Sequence, residues 1–393
     1  MMHIITRFDK GGSAENTFLT VCGLDTTRYD VSLITGASLQ GNLGEKEKES
    51  GDSENEAVRA NITAVREQGV RLIGLPHLIR ELRPFSELSA FFSLIRIIRR
   101  EKPRIVHTHT SKAGILGRWA AFICRVPVII HTPHGHVFWG YFRPWQTRLF
   151  ILLERWTARI TDRIVALTPQ ERSDHLRFRI APKEKFTVIH SGVDLTRFYN
   201  TVTDISQMKK NLNLPGGSFV VGTLGRLTPV KGQIHLLRAA VEIVADRPDI
   251  YFVFVGEGEL HDDLEKFAEV AGIMENVRFP GWKSDVASVL SVFDIFVFPS
   301  LNEGMGKAIV EAMVMGKPII ASDIGGISDL VVSGETGILV PPAGSNAIAE
   351  AIKTLYANPE KRTEMGKRGQ ERAAAYSAES MLHKIKTLYE CLL

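Results

Sequence analysis

Four short stretches combine residue types that could hold or transform a ligand. The first is Asp9-Lys10-Gly11-Gly12-Ser13. Its two glycines let backbone approach a ligand closely, and a helix starting near Ala14 offers free N–H groups to a phosphate. A plain tight turn uses the same pair. The second runs from Gly225 to Gly232 and carries Arg226 and Lys231. A planar guanidinium fork and a compact ammonium together suit a diphosphate, against the bland reading of surface solvation. The third is Pro299 to Glu311, with Glu303 at the glycine-bearing turn Gly304-Met305-Gly306 and Glu311 on the helix beyond. Glu303 can be aimed at a sugar hydroxyl and Glu311 at a ribose diol. Alternatively Glu311 pairs with Lys307 for a few tenths of a kcal/mol, and Glu303 complements a helix dipole. The fourth is histidine-rich: His107, His109, His131, His134 and His136. On a strand His107 and His109 point the same way, as two zinc ligands would. Residues 102–153 contain no Asp or Glu, however, which favours hydrogen bonding to ligand or backbone over a metal.

These stretches need elements to position them. Apolar runs at His3–Thr6, Val31–Thr35, Val70–Leu75, Ile105–Thr108, Val128–His131, Ile164–Leu167 and Thr187–His190 read as strands. So do Phe219–Leu224, Tyr251–Val255, Val277–Phe279, Ile295–Phe298, Pro318–Ala321 and Gly337–Val340. Several are apolar throughout, as strands covered on both faces are, and helical stretches separate them. The expectation is α/β: two doubly wound domains, residues 1–190 and 218–378, joined by a polar, Pro- and Gly-bearing linker at 191–217. A helix near Gly306–Met315 ends at Gly316, with Pro318 preventing its continuation. A last helix over 379–393 has one apolar face (Met381, Leu382, Ile385, Leu388, Leu392). Gly41–Asn55 is charged and glycine-bearing and reads as a surface loop.

With 393 residues, 44% hydrophobic and 23% charged, the chain is an ordinary globular protein of two-domain size. Cys22, Cys124 and Cys391 are scattered and form no CxxC pair, so neither a disulfide framework nor a zinc knuckle is implied. Met1–Thr6 meets Arg7, Asp9 and Lys10 too soon for a signal core, and no run of about 18 apolar residues occurs. A cytoplasmic protein, at most peripheral on a membrane, is expected. The net charge of +4 conceals an asymmetry: residues 1–200 hold 29 Lys+Arg against 20 Asp+Glu, the remainder 19 against 24. Two halves of opposite sign point to different partners.

Taken together, these segments resemble the family 4 retaining glycosyltransferases of GT-B fold, over nearly the whole chain. The resemblance is carried by Glu303-x7-Glu311, by 316–326 (GKPIIASDIGG) and by 334–342 (GETGILVPP). Gly225-Arg226-Leu227 with Lys231-Gly232, Val255-Gly256-Glu257-Gly258, Gly11-Gly12-Ser13, Val106–Gly114 and Thr132–Gly135 add to it. It implies two domains facing across a cleft, the first binding the acceptor and the second a nucleotide-sugar donor, with the 379–393 helix returning to the first domain. It implies that Arg226 and Lys231 neutralise the donor diphosphate, with the Gly11-Gly12 backbone approaching from the other domain. Glu303 and the Gly304, Met305 and Gly306 amides would hold the transferred sugar, Glu311 the ribose, and His109 would reach the donor sugar. Gly225 and Gly258 would line the donor site, and Lys112 and His134 the acceptor side. Met305 departs from the commoner Phe or Leu, which leaves its backbone role intact. Trp282, beside the implied base pocket, keeps the motif from defining the base; a UDP-linked sugar is the expected co-substrate, with no cofactor and no metal.

Positive charge must stabilise a departing nucleoside diphosphate, and such electrostatic stabilisation is usually the largest catalytic term. No Asp-x-Asp metal motif occurs, so Arg226 and Lys231 would supply that charge. The resemblance also implies a front-face retaining mechanism in which the departing phosphate takes the acceptor proton. An NDP-sugar epimerase of the same fold is the nearest rival, and a histidine-based metal hydrolase a more distant one. The family's bacterial surface-polysaccharide members imply a polyprenyl-diphosphate-linked saccharide as acceptor and no nucleic acid. Residues 138–186, with ten basic and five acidic side chains among aromatics such as Phe138, Trp139, Tyr141, Phe142 and Trp145, suit an anionic membrane surface. Ordinary helix packing explains much of that stretch as well.

Overall fold

The computed structural model describes residues 1–8, 11–36, 53–79, 83–135, 144–199 and 201–393, with the side chains of 53–57 left aside. It divides into two compact units, Met1–Gly192 with Ala378–Leu393, and Val193–Ser377.

The first unit is built on a seven-stranded parallel sheet in the order β3-β2-β1-β4-β5-β6-β7. Its strands are β1 (Met2–Ile5), β2 (Ser32–Thr35), β3 (Arg71–Gly74), β4 (Ile105–His109), β5 (Val128–Thr132), β6 (Arg163–Ala166) and β7 (Phe186–Val188). The crossovers are α1 (Gly12–Cys22), α2 (Ser53–Glu67), α3 (Pro84–Glu101), α4 (Ser111–Ile123), α5 (Pro144–Arg159) and α6 (Pro169–Arg177). Alternation along each strand feeds two cores. Ile5, Ile105 and Ile130 face α1, α2 and the C-terminal helix Ala378–Leu392, whereas Met2, Ile4, Val106 and Ile129 face α3 and α4. Burial on both faces explains why the strands are apolar without a period of two.

The second unit repeats the plan with six parallel strands in the order β10-β9-β8-β11-β12-β13. These are β8 (Phe219–Leu224), β9 (Ile250–Val255), β10 (Val277–Gly281), β11 (Ile295–Phe298), β12 (Ile319–Ser322) and β13 (Gly337–Val340). Its helices are α7 (Thr196–Tyr199), α8 (Ile205–Asn211), α9 (Gln233–Asp246), α10 (His261–Val270), α11 (Val286–Ser291), α12 (Lys307–Val314), α13 (Ile327–Leu330), α14 (Ser345–Ala357) and α15 (Pro359–Ala373). Each expected strand is present to within about two residues.

Two segments differ from expectation. Residues 193–217 are no free linker: Val193, Leu195, Phe198, Leu212 and Leu214 are buried in the second unit's core. Five apolar anchors spread among polar residues and two short helices make no periodic pattern, yet they suffice to bury the segment. Within the expected loop at 41–55, helix α2 begins at Ser53, and residues 41–52 lie outside the described ones.

In each sheet the order reverses direction once, between β1 and β4 and between β8 and β11. Ligands of open parallel sheets settle beyond the strands' C-terminal ends at such a switch point. The loops there are the Gly11-Gly12 loop, the segment after His109, the Gly225–Gly232 loop and the Pro299–Gly306 loop. Topology thus selects the stretches that residue chemistry singled out.

Candidate active site

In the second unit, three loops are laced together at the ends of β8, β9 and β10. The Gly225 N–H donates to Val255 O at 3.0 Å and the Gly256 N–H to Gly281 O at 3.0 Å. Leu227 is fully buried, its N–H donating to Glu257 O at 2.9 Å and its carbonyl accepting from Leu260 N–H at 3.1 Å. Gly258 lies against that residue: a Cβ there would sit 2.3 Å from the Leu227 carbonyl oxygen. The Arg226 side chain beside it is left exposed.

Lys231 is brought to Glu303 by a second close approach. Gly232 adopts the left-handed conformation (φ 65°) as N-cap of α9, and a Cβ there would sit 2.2 Å from the Pro299 carbonyl oxygen. The Leu301 N–H donates to Val230 O at 2.8 Å, fastening the β8 loop to the β11 loop. The Lys231 ammonium donates to the Glu303 carboxylate and lies 5.4 Å from the centre of the Phe298 ring. Both side chains stay partly exposed, at 25% and 20%. The pair therefore remains open to exchange with solvent or ligand. Gly306 is left-handed (φ 72°) at the N-cap of α12, and Met305 is buried in the core, consistent with a backbone role only. Glu311 accepts from Arg197 of α7 at 3.0 Å. Arg197 went unnoticed in the sequence because it lies in the stretch read as linker.

In the first unit, Gly11 and Gly12 open α1 and are exposed, and a Cβ at either would meet nothing within 4 Å. His109 ends β4. It is followed by Thr110 at φ 65°, a strained conformation for a β-branched residue and of the kind that gathers at functional sites. The Thr6 hydroxyl lies 2.9 Å from that of Thr110 and accepts the Ala113 N–H at 3.2 Å, capping α4. His134 is also at positive φ (59°), and the next N–H, of Gly135, donates to the buried carboxylate of Glu171 at 3.0 Å. Lys112 pairs with Glu87 of α3 at 2.9 Å, which gives it a structural partner on its own unit.

The histidines do not assemble as a set. His131 lies on the opposite face of the sheet, against Thr108 and 3.9 Å from Glu154, which pairs with the buried Arg118. His3 of β1, which sequence reading passed over, joins His107 and His109, and their ring nitrogens lie within 4.8 Å of one another. His3 Nδ1 is 3.0 Å from His109 Nε2, and His109 Nδ1 is 2.9 Å from His134 Nε2. His107 Nδ1 is 2.6 Å from the Tyr389 hydroxyl, and its Nε2 is 2.8 Å from the Thr132 hydroxyl. Burial lowers the pKa of His3, His107 and His131 well below the usual histidine value and that of His109 to about 3. Both ring nitrogens of His107 and of His109 are spent on hydrogen bonds, and the donor set is that of neutral, mutually bonded rings. Asp9, Lys10, His136, Phe138, Trp139, Tyr141 and Phe142 lie outside the described residues.

Comparison with known proteins shows the family. The family model for "Glycosyl transferase 4-like domain" matches residues 11–192, and that for "Glycosyl transferases group 1" matches 204–372. The UDP-Gal:alpha-D-GlcNAc-diphosphoundecaprenol alpha-1,3-galactosyltransferase of Escherichia coli is 35% identical over 71% of this chain and 73% of its own. The chain belongs to the family 4 glycosyltransferases of GT-B fold. Another relative, the capsular polysaccharide biosynthesis glycosyltransferase CapM of Staphylococcus aureus, is 26% identical over 80% of this chain and 83% of its own. Among solved structures, Anabaena Alr3699/HepE in complex with UDP shares the fold, with a TM-score of 0.80, 20% identity and 99% of each chain covered. The chain is thus a glycosyltransferase that uses a nucleotide sugar. Among the described residues no helix is long and apolar enough to cross a membrane.

Proposed function

We propose that this glycosyltransferase transfers a hexose or N-acetylhexosamine from a UDP-sugar to a polyprenyl-diphosphate-linked saccharide, with retention and without a metal. The observation that carries the reading is the partly exposed Lys231–Glu303 pair at the β8/β11 switch point, with the exposed Arg226 on the same loop. A donor diphosphate entering there takes the Lys231 ammonium as its counter-charge and gains Arg226. Glu303, released, turns to hydroxyls of the transferred sugar, with the Gly304–Gly306 amides beside it. Glu311, pre-oriented by Arg197, takes the ribose diol, and Gly225 and Gly258 line the nucleotide. On the first unit, Gly11, Gly12 and His109 serve the donor, and His134 and Lys112 the acceptor.

The chemistry balances without a further base. The anomeric carbon–oxygen bond to UDP breaks, and the acceptor oxygen bonds the same face of that carbon. The departing β-phosphate oxygen takes the acceptor hydroxyl proton. Lys231 and Arg226 stabilise the charge developing on that phosphate, the role a metal plays in other transferases. The E. coli relative is named for a UDP-sugar donor and a diphosphoundecaprenol-linked acceptor, which supports this choice of substrates.

A lipid-linked acceptor also calls for a membrane surface. Helix α5 turns Trp145, Leu149, Leu152 and Trp156 outward on one face, beside the exposed Arg148, Arg155 and Arg159. Its only acid, Glu154, is turned inward to Arg118. An apolar stripe flanked by arginines fits an anionic leaflet, so peripheral docking on the cytoplasmic face completes the reading. The deciding experiment incubates radiolabelled UDP-sugars with undecaprenyl-diphosphate-linked GlcNAc, with and without EDTA, and determines the anomeric configuration of the product by NMR. Label in the lipid phase with retained configuration, unaffected by EDTA, is the expected result. Free epimer without transfer would identify an epimerase instead.

A further inference from the structure

We propose that Thr110 contacts the donor, held in a strained backbone conformation so that its hydroxyl meets the sugar of the nucleotide-sugar. The inference rests on the reading that the first unit's switch point serves the donor. Thr110 takes φ 65° and ψ 163°, a combination nearly confined to glycine and costly for any residue with a Cβ. A branched Cβ adds to that cost. The surroundings hold it there all the same. Its N–H donates to Thr132 O at 3.2 Å, and its carbonyl accepts from Gly114 N–H at 2.8 Å. Two ordinary reasons for a threonine fail here. Glycine would serve the backbone better. As N-cap of α4, a threonine normally bonds an amide of the first helical turn. Thr110 makes no such bond, and the Ala113 N–H goes to the Thr6 hydroxyl instead. What remains is the Thr110 hydroxyl itself.

Ile5 and His109 pair across β1 and β4, so Thr6 and Thr110 come side by side as the two strands end. Their hydroxyl oxygens are 2.9 Å apart, and among the described residues neither has a further side-chain partner. Two hydroxyls carry two hydrogens, and the bond between them uses one. Whichever of them donates, one O–H is left to spend. Thr6 is buried and Thr110 partly exposed, so a ligand meets Thr110. With Thr6 donating to the Thr110 oxygen, the Thr110 O–H is available to an acceptor. Its neighbours name that acceptor. Thr110 directly follows His109, and Thr6 opens the segment that runs to Gly11 and Gly12, all assigned above to the donor. An oxygen of the transferred sugar therefore accepts the Thr110 O–H.

Titration calorimetry on the full chain tests this with UDP, UDP-galactose and UDP-N-acetylglucosamine, alongside calorimetric melts of every variant. Thr110→Val and Thr110→Gly should each bind the preferred UDP-sugar about 10-fold more weakly, the size of one hydrogen bond. Their affinity for UDP itself should stay at the wild-type value. Thr110→Ser keeps the hydroxyl and should restore most of the UDP-sugar affinity. Thr110→Gly should melt about 2–4 °C above Thr110→Ala, because glycine alone is at ease at this φ and ψ. Equal melting of that pair would remove the strain and with it the proposal. Undiminished UDP-sugar binding by the valine and glycine variants would overturn the contact, as would an equal loss of affinity for UDP. His109→Ala separates the proposal from the reading beneath it. If only Thr110→Val weakens UDP-sugar binding, the reading of His109 falls and the Thr110 contact stands. If only His109→Ala does, the Thr110 contact alone is struck out.

Discussion

At the scale of single residues, the Lys231–Glu303 pair bears most of the functional argument. Lys231→Ala and Arg226→Ala should each lower kcat by about 100- to 1,000-fold, as loss of one charge-stabilising contact does, while melting temperatures stay near wild type. Steady-state kinetics with a saturating acceptor check this, and a wild-type rate in either variant would remove that residue from its role. Arg226 and Lys231 were legible in the sequence as a guanidinium and an ammonium on a loop after a strand. Their partners were not. Spacing gives no sign that Lys231 meets Glu303, 72 positions further along the chain, or that Glu311 pairs with Arg197. His3 escaped notice for a related reason: one histidine in an apolar strand looks like core, and only its register with His107 shows what it touches.

At the scale of elements, strands were the most legible feature, because continuous Val, Ile and Phe runs need no tertiary information to be read. Glycines at strand ends were legible as turns, but their tightness comes from neighbouring loops. Gly232→Ala adds a methyl at a left-handed residue facing the Pro299 carbonyl, so the β8 and β11 loops must part. That variant should lose about 1–3 kcal/mol of stability by urea denaturation and should also lose turnover, since Lys231 moves with its loop. Full stability would mean that the approach is looser than described. Helix α5 gives a second prediction at this scale. Replacing Trp145, Leu149, Leu152 and Trp156 together by Ser should abolish co-sedimentation with anionic liposomes without altering hydrolysis of the free donor. Replacing Arg148, Arg155 and Arg159 by Gln should remove the salt-sensitive part of that binding. If neither set changes lipid binding, docking occurs elsewhere or not at all.

At the scale of the whole molecule, the two units differ in how they should respond to acid. The first buries His3, His107, His109 and His131 with lowered pKa values, His109 at about 3. For each, the unfolded chain takes up a proton near pH 6.5 while the folded one does not. Their stabilisation is therefore complete above about pH 6.5 and is lost progressively as pH falls towards the folded value, by about 1.4 kcal/mol per pH unit for each histidine. The second unit has only His235, partly exposed, lowered in the same sense. Calorimetry between pH 7 and pH 5 should show the first unit's transition moving down well ahead of the second's; transitions that move together would contradict the assignment.

The first unit is also discontinuous, and this bears on how it comes to exist. Its sheet is complete by Val188, yet Met381, Ile385 and Tyr389 of its core are encoded only after the entire second unit. During synthesis on the ribosome, the nascent first sheet must wait with one face bare while the second unit emerges and folds. The Tyr389 hydroxyl that closes on His107 arrives only after the second unit has been made. Residues 1–192 made alone should therefore aggregate or stay partly molten. A synthetic peptide of residues 378–393 should bind that fragment and restore its near-ultraviolet circular dichroism. The order in which the ribosome delivers the parts makes the C-terminal helix a late lock on the histidine cluster.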